Sequence, residues 1–294
     1  MDMKRLEVLK TYKIYIGGKF PRTESGRFYK VLNKAEEPIA NVCLCSRKDL
    51  RNAVQAARKA QASWQERTAF NRGQVLYRIA EMLEGRRAQF VEELMLQNYT
   101  KKEAQTEVDK SIDRIVYYAG WCDKFNQVTS SVNPVSSSHF NFSSYEPMGV
   151  IGIMAVQSSG LLGLVSMLAP VVAGGNSCVI IASEDKPLCA VTLAEVLNSS
   201  DVPGGVVNIL TGSIAELWSP LSSHMDVNGI SLDALNKHVT EVQLASIDNL
   251  KRVRVYSNDF RLIEEQGLHF ITDFQELKTT WHPIEKIGGA SNSY

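Results

Sequence analysis

The spacing of apolar and polar positions changes repeatedly along the chain. Tyr12 to Gly17 (YKIYIG), Arg27 to Leu32 and Ile39 to Cys45 alternate, the period-two pattern of short strands. Cys43 and Cys45 fall on one face of the last of these. Ser46-Arg-Lys-Asp49 then opens a helical period, with Leu50, Val54, Ala57 and Trp64 on one stripe and Asp49 placed for a capping box. A second helix is expected after Thr68, its apolar face carrying Val75, Ile79, Leu83, Phe90, Leu94 and Met95. A third is expected from about Lys102 to Gln127, packed through Val108, Ile112, Ile115, Val116, Ala119 and Trp121. Residues 128–139, rich in Ser, Thr, Asn and Pro, read as an exposed loop, and Phe140 to Tyr145 alternates as a strand.

Gly149 to Glu184 is a different kind of segment: apolar strand, loop, apolar helix, Gly-Gly-Asn turn, apolar strand. That is a βαβ unit, the frame of many dinucleotide sites. The pattern continues, with strands at Val150 to Val156, Cys178 to Ile181, Val206 to Leu210 and Val227 to Ile230. Helices fall near Leu161 to Ala173, Pro187 to Leu197 and Ile214 to Leu221. Strands joined by crossover helices imply an α/β fold with a doubly wound parallel sheet. Yet no Lys, Arg or His lies between Gly149 and Ser183, and the loop that would face a ligand reads Gln157-Ser158-Ser159-Gly160. Beyond Ser231, Leu232 to about Ala245 looks helical, Leu250 to Tyr256 (LKRVRVY) suits an exposed or partner-covered strand, and Leu277 to Trp281 suits another. The last residues, GGASNSY, are expected to fray.

Composition narrows the function classes. The 294 residues suffice for one large domain or two modest ones, and 32 basic residues balance 32 acidic ones. No global charge favours nucleic acid or an anionic membrane. The apolar run Leu161 to Ala173 is too short to span a bilayer, and the N-terminus carries no signal-like run, so a cytoplasmic protein is expected. The five cysteines match no metal spacing and have no neighbouring base. They read as small buried hydrophobes. The histidines are scattered, and the adjacent carboxylates Glu92-Glu93 and Glu264-Glu265 point apart, poor geometry for acid–base work.

Six ordered motifs make the chain resemble the aldehyde dehydrogenase superfamily. They are YIGGKF with FYKVLNKAEEPIANV; Tyr117 to Lys124 (YYAGWCDK); Tyr145 to Gly152 (YEPMGVIG); Ala169 to Asn176 (APVVAGGN); Asp201 to Gly212 (DVPGGVVNILTG); and Ser222 to Val227 (SSHMDV). Asp248 to Val255 is similar to the end of the second, catalytically degenerate unit of family-16 members. The resemblance implies a Rossmann-type NAD-binding-like domain over 1–235, with an oligomerisation hairpin at about 128–148. A C-terminal helix and partner-strand tail follow over 236–294. The family chemistry is NAD(P)-dependent oxidation of aldehydes to carboxylic acids.

Departures from the family pattern are concentrated at the chemistry. The Pro-Trp-Asn motif, whose Asn stabilises an oxyanion worth ~3 kcal/mol per donor, falls on Val156-Gln157-Ser158. The lysine that holds the adenosine ribose falls on Ile181, with only Glu184 surviving from its patch. The pyrophosphate-binding Gly-Ser-Thr turn falls on Ile230 to Asn236, which lacks glycine and brings Asp233, read as a helix-start residue. Only 58 residues follow Asn236, none a cysteine. The expectation is therefore a pseudoenzyme with no catalytic residues and no expected cofactor. NAD(P) is expected only if weak residual contacts at Ser158 and Glu184 survive, and no metal is expected. Its role would be oligomerisation or docking through Phe140, Phe142, Leu250, Val253 and Val255, as a homo-oligomer or beside a companion aldehyde dehydrogenase domain. The alternatives are an accessory unit of a working dehydrogenase whose cysteine lies in another domain or chain, and a small-molecule sensor.

Overall fold

The computed structural model describes residues 8–257, 259–262 and 265–284. The expected fraying of GGASNSY and Glu264 of the acidic pair lie outside them. The chain opens with β1 (Thr11–Tyr12), β2 (Phe28–Leu32) and β3 (Pro38–Cys43), ordered β1-β3-β2. Helices α1 (Arg47–Gln65), α2 (Ala69–Gly85), α3 (Arg87–Leu96), α4 (Lys101–Trp121) and α5 (Phe125–Thr129) follow. The capping box of α1 forms as its sequence predicts, the Asp49 carboxylate accepting from Ser46 N at 2.8 Å. The second and third expected helices are each broken in two. Arg86 leaves helical geometry at φ −108°, and its guanidinium reaches Gln89 and Glu195. The buried stripe of α4 is also rotated from the expected one. Ser111 and Arg114 are buried while Val116 is 38% exposed, because a polar network rather than hydrophobicity alone sets that face.

A hairpin, β4 (Ser131–Asn133) and β5 (His139–Pro147), leads into the larger sheet. That sheet is built from β6 (Val150–Met154), α6 (Leu162–Ala173), β7 (Ser177–Ile181), α7 (Leu188–Asn198), β8 (Val207–Leu210), α8 (Ile214–Ser222), β9 (Gly229–Asp233), α9 (Val239–Ala245) and β10 (Arg252–Tyr256). Its strands are parallel and ordered β10-β9-β6-β7-β8; counted from β6 and read from the β8 edge this is 3-2-1-4-5, the doubly wound order. Both faces are covered, which explains the continuous apolar runs. Ile151, Ile153, Cys178, Ile180, Val207 and Ile209 pack toward α2, α4, α6 and α7. Val150, Met154, Val179, Ile181 and Leu210 pack toward α1 and α8.

Finally α10 (His269–Thr272) and β11 (Gln275–Pro283) return the chain to the hairpin, giving a ribbon ordered β11-β5-β4. The segment after residue 235, expected as a helix and a strand, thus supplies α9 and one strand to each of two sheets. Two expectations are corrected here. The strand ending at Ile230 runs on to Asp233, because ladders on both sides hold it extended, to β6 and to β10. Asp233 is consequently the last strand residue and not a helix start. Its Oδ1 accepts from Leu235 N at 3.0 Å. Leu250 to Tyr256, expected as an exposed or partner-covered strand, forms β10 over Arg252–Tyr256, paired in parallel to β9 at the edge of the sheet. The strand that joins the hairpin is β11, within the same chain.

The two edges of the parallel sheet differ. Tyr15 closes the β8 edge, exchanging main-chain hydrogen bonds with Ile209 at 2.9 and 2.8 Å. The chain can pass this close because Gly18 and Gly204 meet there. A Cβ on Gly204 would lie 2.7 Å from the Gly17 carbonyl oxygen. Among the described residues no further strand covers the β10 edge.

Candidate functional site

In doubly wound sheets ligands bind beyond the carboxyl ends of the strands, where the strand order reverses. Here that point lies between β6 and β9. The loop leaving β6 is Ala155 to Gly160, and the α6 N-terminus follows it, with four main-chain N–H groups of the kind that bind phosphate. The four consecutive N–H groups of Gly160 to Gly163, at the entry to this helix, have partners from the chain itself. Gly160 N donates to Tyr99 Oη at 3.0 Å, and Gly163 N to Ser159 Oγ at 2.8 Å. Leu161 N and Leu162 N donate to Glu107 Oε1 at 2.8 and 3.1 Å, and Ser159 Oγ donates to the same oxygen at 2.8 Å. A carboxylate projecting from α4 therefore holds the position an anionic ligand would take.

The second anion-receptive terminus, that of α8, is filled the same way. Glu184 Oε2 accepts from Ile214 N at 3.1 Å. Its main-chain N donates to Gln157 Oε1 at 2.8 Å, and Ser183 Oγ donates to the Gln157 carbonyl at 2.9 Å. Ser158 and Glu184 are thus brought into one loop cluster, as both sit against Gln157, and both are solvent-exposed. The Ser158 contacts run through its carbonyl, which accepts from Lys186 Nζ at 2.7 Å and Tyr99 Oη at 3.3 Å. Lys186 also lies 4.3 Å from the Tyr99 ring centre. Burial, and then the nearby Glu107 charge, hold the Tyr99 hydroxyl well above the ordinary phenol range, so it stays protonated and able to donate.

At the crevice itself Asn236 Nδ2 donates to Met154 Sδ at 3.8 Å, and Asn236 Oδ1 accepts from His238 N at 2.9 Å. Across the gap between α8 and α9, Trp218 and His238 stack with centroids 5.0 Å apart and planes 17° from parallel. Ile181 is fully buried with Met154, Leu210 and Ile214. An aliphatic contact thus fills the position to which the resemblance assigns an ammonium group.

The five cysteines are unbonded and buried. Burial pushes the Cys122 thiol up to about 12 and raises Cys45, Cys178 and Cys189 as well, the reverse of what a nucleophilic thiolate requires. Among the described residues no group of His, Cys, Asp and Glu could hold a metal, and no helix is long and apolar enough to cross a membrane.

The residues named for association lie in two places. Phe140 and Phe142 share one face of the ribbon, ring centres 5.6 Å apart, with Phe140 46% exposed. Val253 and Val255 are half-buried against the core on the α9 side. Leu250 precedes β10 after a short 3-10 turn (Ile247–Asn249), 89% exposed and in left-handed backbone at φ +53°. Sequence reasoning missed Glu107, Tyr99 and Lys186. The available signal was the seven-residue spacing of Glu107 and Arg114, with Ser111 between, which lines polar residues along the inner side of α4.

Comparison with known proteins adds the relationship. The model of the "Aldehyde dehydrogenase family" matches residues 20–255. The cytosolic 10-formyltetrahydrofolate dehydrogenase of Mus musculus is 32% identical over 260 residues, covering 85% of this chain and 29% of that protein. The omega-crystallin of Enteroctopus dofleini is 32% identical over 251 residues, covering 83% and 50%. The solved NAD+ complex of an aldehyde dehydrogenase from Bacillus cereus superposes with a TM-score of 0.79 at 26% identity, over 83% of this chain and 50% of that one. The chain spans about half the length, or less, of the relatives it matches.

Proposed function

The chain belongs to the aldehyde dehydrogenase family, and we propose that it is a non-catalytic unit of that family, of the family-16 second-unit kind, acting in oligomerisation or partner docking. One observation carries this reading: the helix N-termini at the ligand edge are occupied by the chain's own carboxylates, Glu107 on α6 and Glu184 on α8. A dinucleotide brings negative phosphates to such positions, so these two side chains would have to leave and then face like charge.

The NAD implied by the family does not fit the residues present. Ile181 offers no cation, β9 replaces the glycine turn with extended backbone ending in Asp233, and Asn236 packs on Met154 at the crevice. Ser158 and Glu184 remain as polar groups at the edge, but their contacts are spent on tying loops together. Nor do the buried thiols supply an accessible nucleophile for an aldehyde carbonyl. What the frame does present is a projecting ribbon with apolar side chains in solvent, Val132 and Phe140 on one face and Leu277 and Trp281 on the other. A cytoplasmic location accords with this reading, as the mouse relative is named cytosolic.

Calorimetric titration of the whole chain with NAD and with NADP should show no binding at micromolar concentrations. NADH formation with a panel of aldehydes should stay at the buffer rate. A micromolar dissociation constant, or steady turnover without added thiol, would refute the reading. An accessory role beside a working dehydrogenase would instead appear as a changed kcat or KM of that enzyme when this chain is added.

A further inference from the structure

Two turns meet at the amino ends of β9 and β10, on the side of the parallel sheet opposite the ligand edge. Residues 224–228 lead into β9 and residues 247–251 into β10. Arg252 N donates to the Asn228 carbonyl at 3.3 Å, and Asn249 Nδ2 donates to the carbonyls of Met225 and Val227 at 3.2 and 3.3 Å. With its amide nitrogen spent in this way, Asn249 has only its oxygen left to offer, and that oxygen accepts from Lys251 Nζ. Lys251 is 8% exposed, and among the described residues no carboxylate forms an ion pair with it. An ammonium has three N–H donors, and the chain supplies this one with a single neutral acceptor. Burial lowers the Lys251 pKa from the usual lysine value, and the Asp248 charge opposes the shift only in part. On the neighbouring turn His224 is also lowered by burial, with Asp226 opposing and Lys251 adding to the effect. Its Nδ1 accepts from Asp226 N at 3.2 Å, so the ring is neutral and carries its proton on Nε2. A covered lysine stem among neutral partners is the arrangement that frees an amine lone pair.

We propose that Lys251 is an acyl-acceptor site, taking short aliphatic acyl groups from thioesters and holding them as amides. The nitrogen lone pair attacks the thioester carbonyl carbon; the C–N bond forms and the C–S bond breaks. The thiolate leaves with the electron pair of that bond and takes up the proton that the nitrogen sheds, so neither oxidant nor reductant enters. The site suits the product better than the ammonium. An amide has no charge to desolvate, and its N–H still donates to Asn249 Oδ1. The acyl chain also has a place to rest. Met225, Ile247 and Leu250, on the two turns that carry the lysine, are 66%, 60% and 89% exposed. An aliphatic group laid over them covers apolar surface that the free amine leaves in water. This site does not depend on the docking role proposed above.

The probe is the butyryl thioester of N-acetylcysteamine, applied to the whole chain, with acylation of each lysine followed by peptide mass spectrometry. At about pH 7 Lys251 should react roughly tenfold faster than the exposed Lys59 and Lys102, and the ratio should fall toward one near pH 10, where lysine amines in general are substantially deprotonated. At Lys251 the butyryl thioester should outpace the acetyl one by roughly threefold, and at Lys59 it should not. Asn249→Asp sets a carboxylate beside the ammonium and should remove the advantage at neutral pH, with the circular dichroism spectrum retained. Because that variant also gives up the Nδ2 hydrogen bonds, the pair Ile247→Ser and Leu250→Ser supplies a second reading: the butyryl preference should vanish while the acetyl rate stays. A Lys251 that reacts no faster than the exposed lysines at neutral pH overturns the proposal. So does a fast reaction with no preference between the two acyl groups, or one that Asn249→Asp leaves unchanged.

Discussion

Glu107 is the residue on which the ligand edge turns. One carboxylate oxygen accepts three hydrogen bonds at the start of α6, where the helix dipole favours negative charge. Hydrogen bonds to a charged group contribute about 1.5–3 kcal/mol each, and the three share one partner. Glu107→Ala should therefore lower the unfolding free energy by about 2–3 kcal/mol in urea titration, and Glu107→Gln by less. A change below ~0.5 kcal/mol in both would mean that solvent replaces the carboxylate without cost. The sequence did not make this residue legible. Reading a helix by its apolar period passes over a charged residue whose partner is a helix terminus some fifty positions later. Losses were easier to read than replacements. Ile181, where the resemblance expects a lysine, is visible in the chain, whereas the engagement of Glu184 as a cap on α8 appears only when the loops after β7 and β8 are brought together.

At the scale of the element, the strands and helices of the parallel sheet were legible because each is long enough to show its period and is bounded by Gly, Pro or Asn. The errors fall where tertiary pairing overrides local signals. β9 reads as a short strand followed by a helix, yet neighbours on both sides extend it. The LKRVRVY segment reads as a lone edge strand, and it does form an edge, but in the parallel sheet. Entry into β10 carries a visible cost. Leu250 holds left-handed backbone, disfavoured for a side chain with a Cβ by roughly 1–2 kcal/mol, while its side chain packs on little. Leu250→Gly should accordingly raise the unfolding midpoint, with a net gain of about 0.5–1 kcal/mol after the added unfolded-state freedom of glycine. A lower midpoint would show that the exposed leucine contributes packing that its exposure does not suggest.

Across the whole molecule, the C-terminal segment is held to the body by Arg114. This buried guanidinium donates to Ser166 Oγ at 2.8 Å and to the carbonyls of Phe260, Leu262 and Glu265 at 3.1, 3.2 and 2.7 Å. Burial lowers its pKa from the usual arginine range, but the carbonyl ring matches a cation. Arg114→Met should leave these acceptors unsatisfied, cost about 3 kcal/mol, and speed trypsin cleavage after Arg261 relative to the parent. An unchanged digestion pattern would show that β10 and β11 hold the segment unaided. The fold class was readable from six motifs in order. The path by which the tail reaches both sheets was not, because it depends on carbonyls that no side-chain pattern encodes.

The hairpin strand and the strand that completes it are far apart in the chain, with Glu146 and the Lys278 that pairs with it separated by 132 residues. A ribosome adding ~5–20 residues per second makes β5 roughly ten seconds before β11. Throughout that interval Phe140 and Phe142 stand beside an unfilled strand position on the nascent chain. Assembly is then a race between completion in the same polypeptide and invasion by a neighbour on the same message. Translation speed through residues 148–274 sets the outcome, and synonymous codons that slow this stretch should increase strand-exchanged product without altering a single amino acid.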